Sequence, residues 1–283
     1  MRTQKIKTGL NMLDQAYTCI KLERDTQNPW VLHLTLDRPQ ARNAMSLAMV
    51  GELSKVLTAL ETDLSVRAVI VRGEGGHFCA GGDIKDMASA RAAAAKSESD
   101  PYFDLNKQFG ELILKMNHIP QVVITVLEGA VLGGGFGLAC VSDVAIATSS
   151  AKFGLPETSL GIPPAQIAPF VVKRIGLTQT RRLALLGERF GGEESVKLGI
   201  SHFFAKDDAE LDVLLGRTLD QIKSCAPHAN AVTKQLILKA AEHEAAELID
   251  DAAKAFSAAV QGEEGVAGTM AFIQKKPAPW SIS

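Results

Sequence analysis

The chain has 283 residues, of which 46% are hydrophobic and 22% are charged, and its formal net charge is −2. This composition predicts one large globular domain, or a domain with an appendage, that buries a sizeable core. The near-neutral charge gives no electrostatic reason to expect nucleic acid as the main partner. No apolar run approaches the ~20 residues of a membrane-spanning helix.

The cysteines and the N-terminus indicate a cellular location. The four cysteines are far apart and form no Cys-x-x-Cys pair, which favours buried thiols in a reducing compartment over disulfides or a zinc site. Residues 1–16 carry basic side chains but lack the apolar stretch of a secretory signal. We therefore predict a cytoplasmic protein with no bound metal and a flexible N-terminal extension, with a weak organellar signal as the alternative for that segment.

Two strand-like runs begin the predicted fold. Cys19 to Glu23 and Trp30 to Leu36 flank the turn-like segment 25–29, so we expect them to pair as a hairpin. Ser46 then stands at the N-cap position of a helix that the pattern extends to about Glu61.

A strand followed by glycines comes next. Ala68 to Arg72 is rich in β-branched residues, and glycines at 73, 75, 76, 81 and 82 follow it. Asp83 is a plausible N-cap for a helix that starts at Ile84. That helix leads into an alanine-rich segment, up to about Lys96, which we expect to be mobile.

The same pattern recurs further along the chain. Val122 to Leu127 predicts a buried strand, and Gly133 to Gly135 open a short apolar helix. Glycine lets a ligand approach bare backbone, and the free N–H groups of a helix's first turn favour negative charge. Two such units could direct the N–H groups of Ala80 and Gly134 at one oxygen, as an oxyanion hole. The plainer interpretation of either glycine cluster alone is a tight turn between strand and helix.

Helices dominate the rest of the chain. Periodicity and caps predict helices at Tyr102 to Asn117, Ala165 to Ile175, Thr178 to Leu186 and Glu193 to Lys197, one more strand at Val144 to Ala147, and a long helical region from Asp207.

Three motifs identify a family. FCAGGDIKDM, EGAVLGGGFGLACVSDVAIA and AKFGLPETSLGI resemble, in this order and spacing, the crotonase (enoyl-CoA hydratase/isomerase) family. The resemblance runs from about Cys19 to the C-terminus. It implies an α/β fold built as a spiral of ββα units, with residues 17–206 as the core. It also implies that residues 207–283 form a helical trimerisation region, in a homotrimer or a dimer of trimers.

The resemblance also implies a reaction. Family enzymes hold a thioester carbonyl on two backbone N–H groups, which match Ala80 and Gly134 here, and hydratases add two glutamates around the bound water. One matches Glu157, but the other position is Gly137, because the chain reads GGGFG where GGG-x-E is usual. Chains with GGGFGL are similar to hydratases of branched glutaconyl thioesters, so we expect water addition to isohexenylglutaconyl-CoA or, next, to 3-methylglutaconyl-CoA.

A physical reason for Gly137 follows as a hypothesis. These substrates carry their own carboxylate near C3, and a second buried glutamate would repel it. Gly137 removes that charge and would leave room for a branched tail, while Glu157 would activate water.

Coenzyme A is expected as part of the substrate, with no separate cofactor. The resemblance assigns its thioesters to Arg42, Ala80, Gly81, Asp83, Ile84, Gly133, Gly137, Phe272 and Lys275. Arg42 could equally be a surface arginine, and Phe272 with Lys275 an ordinary helix end.

Other functions fit the sequence less well. A dinucleotide-binding protein needs G-x-G-x-x-G, which the glycines at 133, 135 and 137 match only in part. Cys79 is a conceivable nucleophile, but no His stands in a recognisable partner motif. Within the family, an enoyl-CoA isomerase, a thioester hydrolase and a non-catalytic binding protein remain alternatives, and Glu157 speaks against the last.

Overall fold

The computed structural model describes Leu13, residues 15–86, Ala88 and residues 100–282. The strands are β1 (Ile20–Arg24), β2 (Val31–Leu36), β3 (Ala68–Gly73), β4 (Val122–Leu127), β5 (Ala130–Leu132), β6 (Val144–Thr148), β7 (Lys152–Gly154), β8 (Arg189–Gly191) and β9 (Phe203–Ala205). The helices are α1 (Leu47–Leu60), α2 (Pro101–His118), α3 (Gly134–Cys140), α4 (Ala168–Leu186), α5 (Gly192–Lys197), α6 (Asp208–Ser224), α7 (Pro227–Ala240), α8 (Ile249–Gln261), α9 (Glu263–Ile273) and α10 (Pro279–Ile282).

The strands form two sheets. The larger has the order β1-β2-β3-β4-β6-β9, and all its neighbours are parallel except the antiparallel hairpin β1–β2. The smaller has the order β5-β7-β8. Two single bridges, Met45 with Gly82 and Cys79 with Val131, continue the smaller sheet towards the N-terminal half. These bridges bring the two glycine-rich segments side by side.

The large sheet is buried on both faces, as parallel sheets usually are. On one face Val69 and Val71 of β3 join the main core with α1, α2 and α3. On the other face Ala68 and Ile70 join a second cluster that includes Leu211 of α6. The β-branched runs that predicted strands are therefore two-sided core strands.

Local capping signals were reliable. The Ser46 hydroxyl accepts the N–H of Met49 at 3.2 Å, and Asp83 Oδ1 accepts the N–H of Lys85 at 2.8 Å. The two predicted helices after residue 165 are one element, α4, with an interruption at Gly176, where φ is 75°. The sequence prediction lacked β5, β7, β8 and β9, which have three residues each.

The predicted N-terminal extension, residues 1–16, lies mostly outside the described residues, as does most of the alanine-rich segment. Leu13 is described, and it is buried in the main core with 8% of its surface exposed. The predicted boundary at residue 17 stays a prediction.

Arg67 fixes the C-terminal helices on the large sheet. Its guanidinium donates to the carbonyl oxygens of Ile222 at 2.8 Å and Trp280 at 3.0 Å, and lies 4.9 Å from the centre of the Trp30 ring. None of the helices in the described residues is both long and apolar enough to cross a membrane.

Candidate active site

The two glycine-rich segments meet at the start of α3. A Cβ placed on Gly81 would lie 3.4 Å from the carbonyl oxygen of Leu132 and 3.8 Å from the Cα of Gly133. Gly133 is the N-cap of α3, and its φ of 50° is one that glycine adopts without strain. All seven residues of α3 are buried. The juxtaposition predicted from the sequence is therefore present.

One predicted oxyanion donor is wrong. The N–H of Ala80 donates to the carbonyl oxygen of Arg42 at 3.0 Å, so it is not available for a substrate oxygen. Arg42 and Asn43 have φ of 49° and 56°, and the Asn43 amide holds this turn by donating to the carbonyl oxygens of Glu74 and His77. The turned backbone presents the Arg42 carbonyl to Ala80.

Gly82 has the available N–H on this segment. The N–H of Met45 donates to Gly81 O at 2.8 Å, and that of Asp83 donates to Met45 O at 3.0 Å. In a parallel bridge of this kind, the residue between the two bonded groups directs its own N–H to the opposite side. That side faces β5 and α3, and within the described part of the chain the Gly82 N–H has no partner.

The Gly134 donor retains its predicted position. Gly134 is the first residue of α3, where an N–H has no intrahelical acceptor. A Cβ on Gly134 would lie 2.9 Å from Cζ of Phe109, so this ring of α2 covers the start of α3. The geometry therefore offers Gly82 and Gly134 as a pair of donors under an apolar ring.

Glu157 faces this pair. It begins a short 3-10 helix (Glu157–Leu160) after β7, and its Oε1 would lie 2.7 Å from a Cβ on Gly133. Its Oε2 is buried and has no hydrogen-bond partner among the described residues. Burial raises the pKa of this carboxyl above its ordinary value. A carboxylate with one unpartnered oxygen and a raised pKa, beside free N–H groups, is typical of a general base.

The raised pKa predicts a stability effect. Since the folded-state pKa of Glu157 exceeds the unfolded one, its contribution to stability is full below the ordinary pKa near 4.5 and is lost as the pH rises through the folded value. Glu157→Gln is therefore expected to increase the free energy of unfolding at pH 8 and to have no such effect at pH 4. Urea unfolding of both proteins at equal concentration measures this, and an equal difference at both pH values would contradict it.

Gly137 does not open onto free space. A Cβ at this position would lie 2.9 Å from Cδ1 of Ile113, 3.0 Å from Cβ of Ile167, and closer still to Ile167 Cγ2. The space where a glutamate would leave the helix is filled by these apolar side chains. The expected room for a branched tail directly beside Gly137 is therefore absent, and the glycine is required by packing.

Cys79 is excluded as a nucleophile by its surroundings. It is fully buried, and a Cβ on Gly135 would lie 2.7 Å from its Cβ. Burial raises the pKa of the thiol to about 11, so the reactive thiolate is scarce at neutral pH.

Arg38, which sequence reasoning missed, holds the donor segment. Its guanidinium donates to Asp83 Oδ2 at 2.7 Å and to the carbonyl oxygen of Ala44 at 2.6 Å. Burial opposes ionisation of Asp83, but the hydrogen bonds from Arg38 and the Lys85 N–H prevail, and its pKa lies below the ordinary value. Asp83 thus fixes the backbone on which Gly82 lies and is occupied by protein groups.

The remaining predicted coenzyme A residues are on the surface. The side chain of Arg42 is exposed, and Ile84 is 73% exposed. Phe272 is 84% exposed at the end of α9, and Lys275 follows it with φ of 55°. None of these four side chains forms a described hydrogen bond or ion pair with Gly134 or Glu157, and their assignment to coenzyme A stays a prediction.

Comparison with known proteins places the chain among acyl-thioester enzymes. Residues 26–282 match the family model described as enoyl-CoA hydratase/isomerase. A probable enoyl-CoA hydratase of Bacillus subtilis is 32% identical over 248 residues, which cover 87% of this chain and 93% of the relative. The mitochondrial methylglutaconyl-CoA hydratase of Mus musculus is 29% identical over 258 residues, with coverage of 89% and 80%.

The fold has close structural counterparts as well. The solved structure of Pseudomonas aeruginosa AtuE has a TM-score of 0.89 and 57% identity to this chain. The alignment covers 93% of this chain and 100% of the AtuE chain. The α/β core with a helical C-terminal region is therefore the crotonase fold, as predicted. The chain belongs to the enoyl-CoA hydratase/isomerase family, and the expectation of a hydratase-type enzyme of the crotonase family is confirmed.

Proposed function

We propose that this enzyme adds water across the 2,3 double bond of a branched 2-enoyl-CoA whose acyl group bears its own carboxylate. An isohexenylglutaconyl thioester of terpene catabolism is favoured, and 3-methylglutaconyl-CoA of leucine catabolism comes next. The observation that carries the proposal is a buried Glu157 carboxylate together with a glycine at position 137, packed against Ile113 and Ile167, where the resemblance places a second glutamate.

The catalytic cycle uses these groups in a fixed order. The thioester oxygen accepts the N–H groups of Gly82 and Gly134, and the Glu157 carboxylate takes a proton from water. The water oxygen bonds to C3, while the electrons of the double bond move onto the thioester oxygen. The enolate then collapses, and C2 takes the proton from the Glu157 carboxyl. Water is added in full, and Glu157 returns to its ionised form.

A single carboxylate suits this substrate class. A second glutamate near C3 would repel the substrate's carboxylate in a poorly screened site. The relative named methylglutaconyl-CoA hydratase supports a branched glutaconyl substrate. Coenzyme A enters as part of the substrate, and the reaction requires neither a metal ion nor another cofactor.

Self-association is part of the proposal. Phe256, Phe272 and Ile273 on α8 and α9 are 72–84% exposed, which is unusual for large apolar side chains of an isolated protein. A second copy of the chain would cover them, in a homotrimer or a dimer of trimers. The cytoplasmic location stays a prediction.

One other family reaction is favoured by the same carboxylate. An enoyl-CoA isomerase needs only one base to move a proton between C4 and C2, and Glu157 could serve in that role. Isomerisation leaves the mass of the thioester unchanged, whereas hydration increases it by one water.

A substrate panel tests the proposal. Purified protein is expected to hydrate 3-methylglutaconyl-CoA or isohexenylglutaconyl-CoA, with kcat/KM at least about 100-fold above that for crotonyl-CoA. Chromatography with mass detection follows each product. Rapid crotonyl-CoA hydration would overturn the substrate assignment, and isomerisation without hydration would favour the second reaction.

A further inference from the structure

Two consecutive residues of one loop, Gln166 and Ile167, pack against glycines on two different helices. Oε1 of Gln166 lies where a Cβ of Gly110 would be, and Cγ2 of Ile167 lies where a Cβ of Gly137 would be. Gly110 belongs to α2 and Gly137 to α3. The segment 161–167, which connects the Glu157 helix to α4, is therefore seated on both helices beside the site.

The Gln166 side chain also contacts a second amide, that of Asn106. Its Nε2 donates to Oδ1 of Asn106 at 2.8 Å. Asn106 lies three residues before Phe109 on α2, so the two side chains share one face of the helix. The Phe109 ring covers Gly134, so Asn106 lies three residues, or ~4.5 Å of helical rise, N-terminal on α2 to the side chain that covers the oxyanion donor.

Among the described residues, the pair has N–H donors that no protein acceptor uses. Together Asn106 and Gln166 carry four N–H bonds, and the hydrogen bond between them uses one. This count does not change if both amides are turned over together, because Asn106 then donates to Gln166. Asn106 is exposed and Gln166 half-buried, so the free N–H groups can reach a ligand.

We propose that the Asn106–Gln166 amide pair binds the carboxylate at the far end of the acyl group. This inference rests on the proposed function, which requires such a carboxylate, and adds the residues that select it. Uncharged donors that bind a carboxylate form charge-assisted bonds, which are about twice as strong as neutral ones. A neutral acyl group leaves the exposed amides bonded to water, so the pair favours charged substrates without strongly rejecting neutral ones.

A matched pair of thioesters tests this role. 3-Methylglutaconyl-CoA and 3-methylcrotonyl-CoA share the branch at C3 and differ in the distal carboxylate. Asn106→Leu is expected to lower kcat/KM for the charged thioester by about 10- to 100-fold and to change that for the neutral one by less than about 3-fold. Asn106→Asp should reduce the charged thioester's kcat/KM further, by like-charge repulsion, and Gln108→Leu on the exposed face of α2 is the control.

The outcomes separate the two proposals. Equal losses on both thioesters would assign the pair a purely structural role in seating the loop, and no loss on either would also overturn the inference. Failure of the proposed function would instead appear in the parent enzyme, as missing hydration of any carboxylate-bearing thioester. Calorimetric binding of 3-methylglutaconyl-CoA to the parent and to Asn106→Leu decides the role of the pair even in that case.

Discussion

Replacing Glu157 by glutamine is expected to lower kcat for hydration by about 10³-fold or more, while KM changes by less than about 3-fold. Glutamine retains the size of the side chain but cannot accept a proton from water near neutral pH. Because one carboxylate both removes the water proton and returns it to C2, no neighbouring group compensates for its loss. Steady-state hydration of the best thioester from the substrate panel measures the effect.

A matched glutamate provides the control. Glu193 is exposed in the first turn of α5, and Glu193→Gln should leave kcat and KM unchanged within about 2-fold. If Glu157→Gln retained more than a few per cent of the parent kcat, Glu157 would be a structural residue of its turn. The raised pKa adds a second measurement. The parent kcat/KM should fall as the pH decreases through a midpoint above the ordinary glutamate value, since only the ionised form is active.

The long elements of the fold were predictable because their signals are local. A hydroxyl at Ser46, a carboxylate at Asp207 and runs such as Val122–Leu127 act within a few residues of themselves. The short strands β5, β7, β8 and β9 exist because partners far along the chain pair with them. Three residues of sequence carry too little pattern to reveal such pairing.

The choice between Ala80 and Gly82 shows where sequence reasoning ended. Both are in one extended segment, and the motif places that segment beside α3 correctly. Which N–H remains free depends on the carbonyl oxygen of Arg42, 38 residues earlier, which takes the Ala80 donor. A turn in which Arg42 and Asn43 have positive φ brings that carbonyl oxygen to Ala80. No local sequence pattern predicts positive φ at these two non-glycine residues.

Gly137 was recognised from the sequence, but the reason for it was only partly accessible. The missing carboxylate is visible in the letters GGGFG. The interlock with Ile113 and Ile167 is tertiary, because the two side chains come from α2 and from the loop before α4. Two explanations of the glycine therefore coexist, repulsion of a substrate carboxylate and lack of space, and they call for different variants.

Gly137→Glu alone is expected to destabilise the protein and to reduce activity on every substrate. The new Cβ overlaps Ile167, overpacking of this kind typically costs about 1–3 kcal/mol, and a buried charge adds to it. Bulk and charge are separated by comparing Gly137→Glu with Gly137→Gln, which has the same shape, in an Ile167→Ala background that removes the nearest contact, Ile167 Cγ2. The ratio of kcat/KM between these two double variants then reports the charge alone.

That ratio is expected to depend on the substrate. For 3-methylglutaconyl-CoA the glutamate variant should be at least about tenfold worse than the glutamine variant, and the deficit should appear in KM as well as kcat, because the repulsion acts on the bound substrate. For crotonyl-CoA the two variants should differ by less than about 3-fold. If the ratio were the same for both thioesters, packing against Ile167 would be the whole reason for Gly137. The roles of Gly82, Gly134 and Glu157 would be unaffected, because they rest on N–H groups and a carboxylate oxygen without partners in the described part of the chain, and not on the charge at position 137.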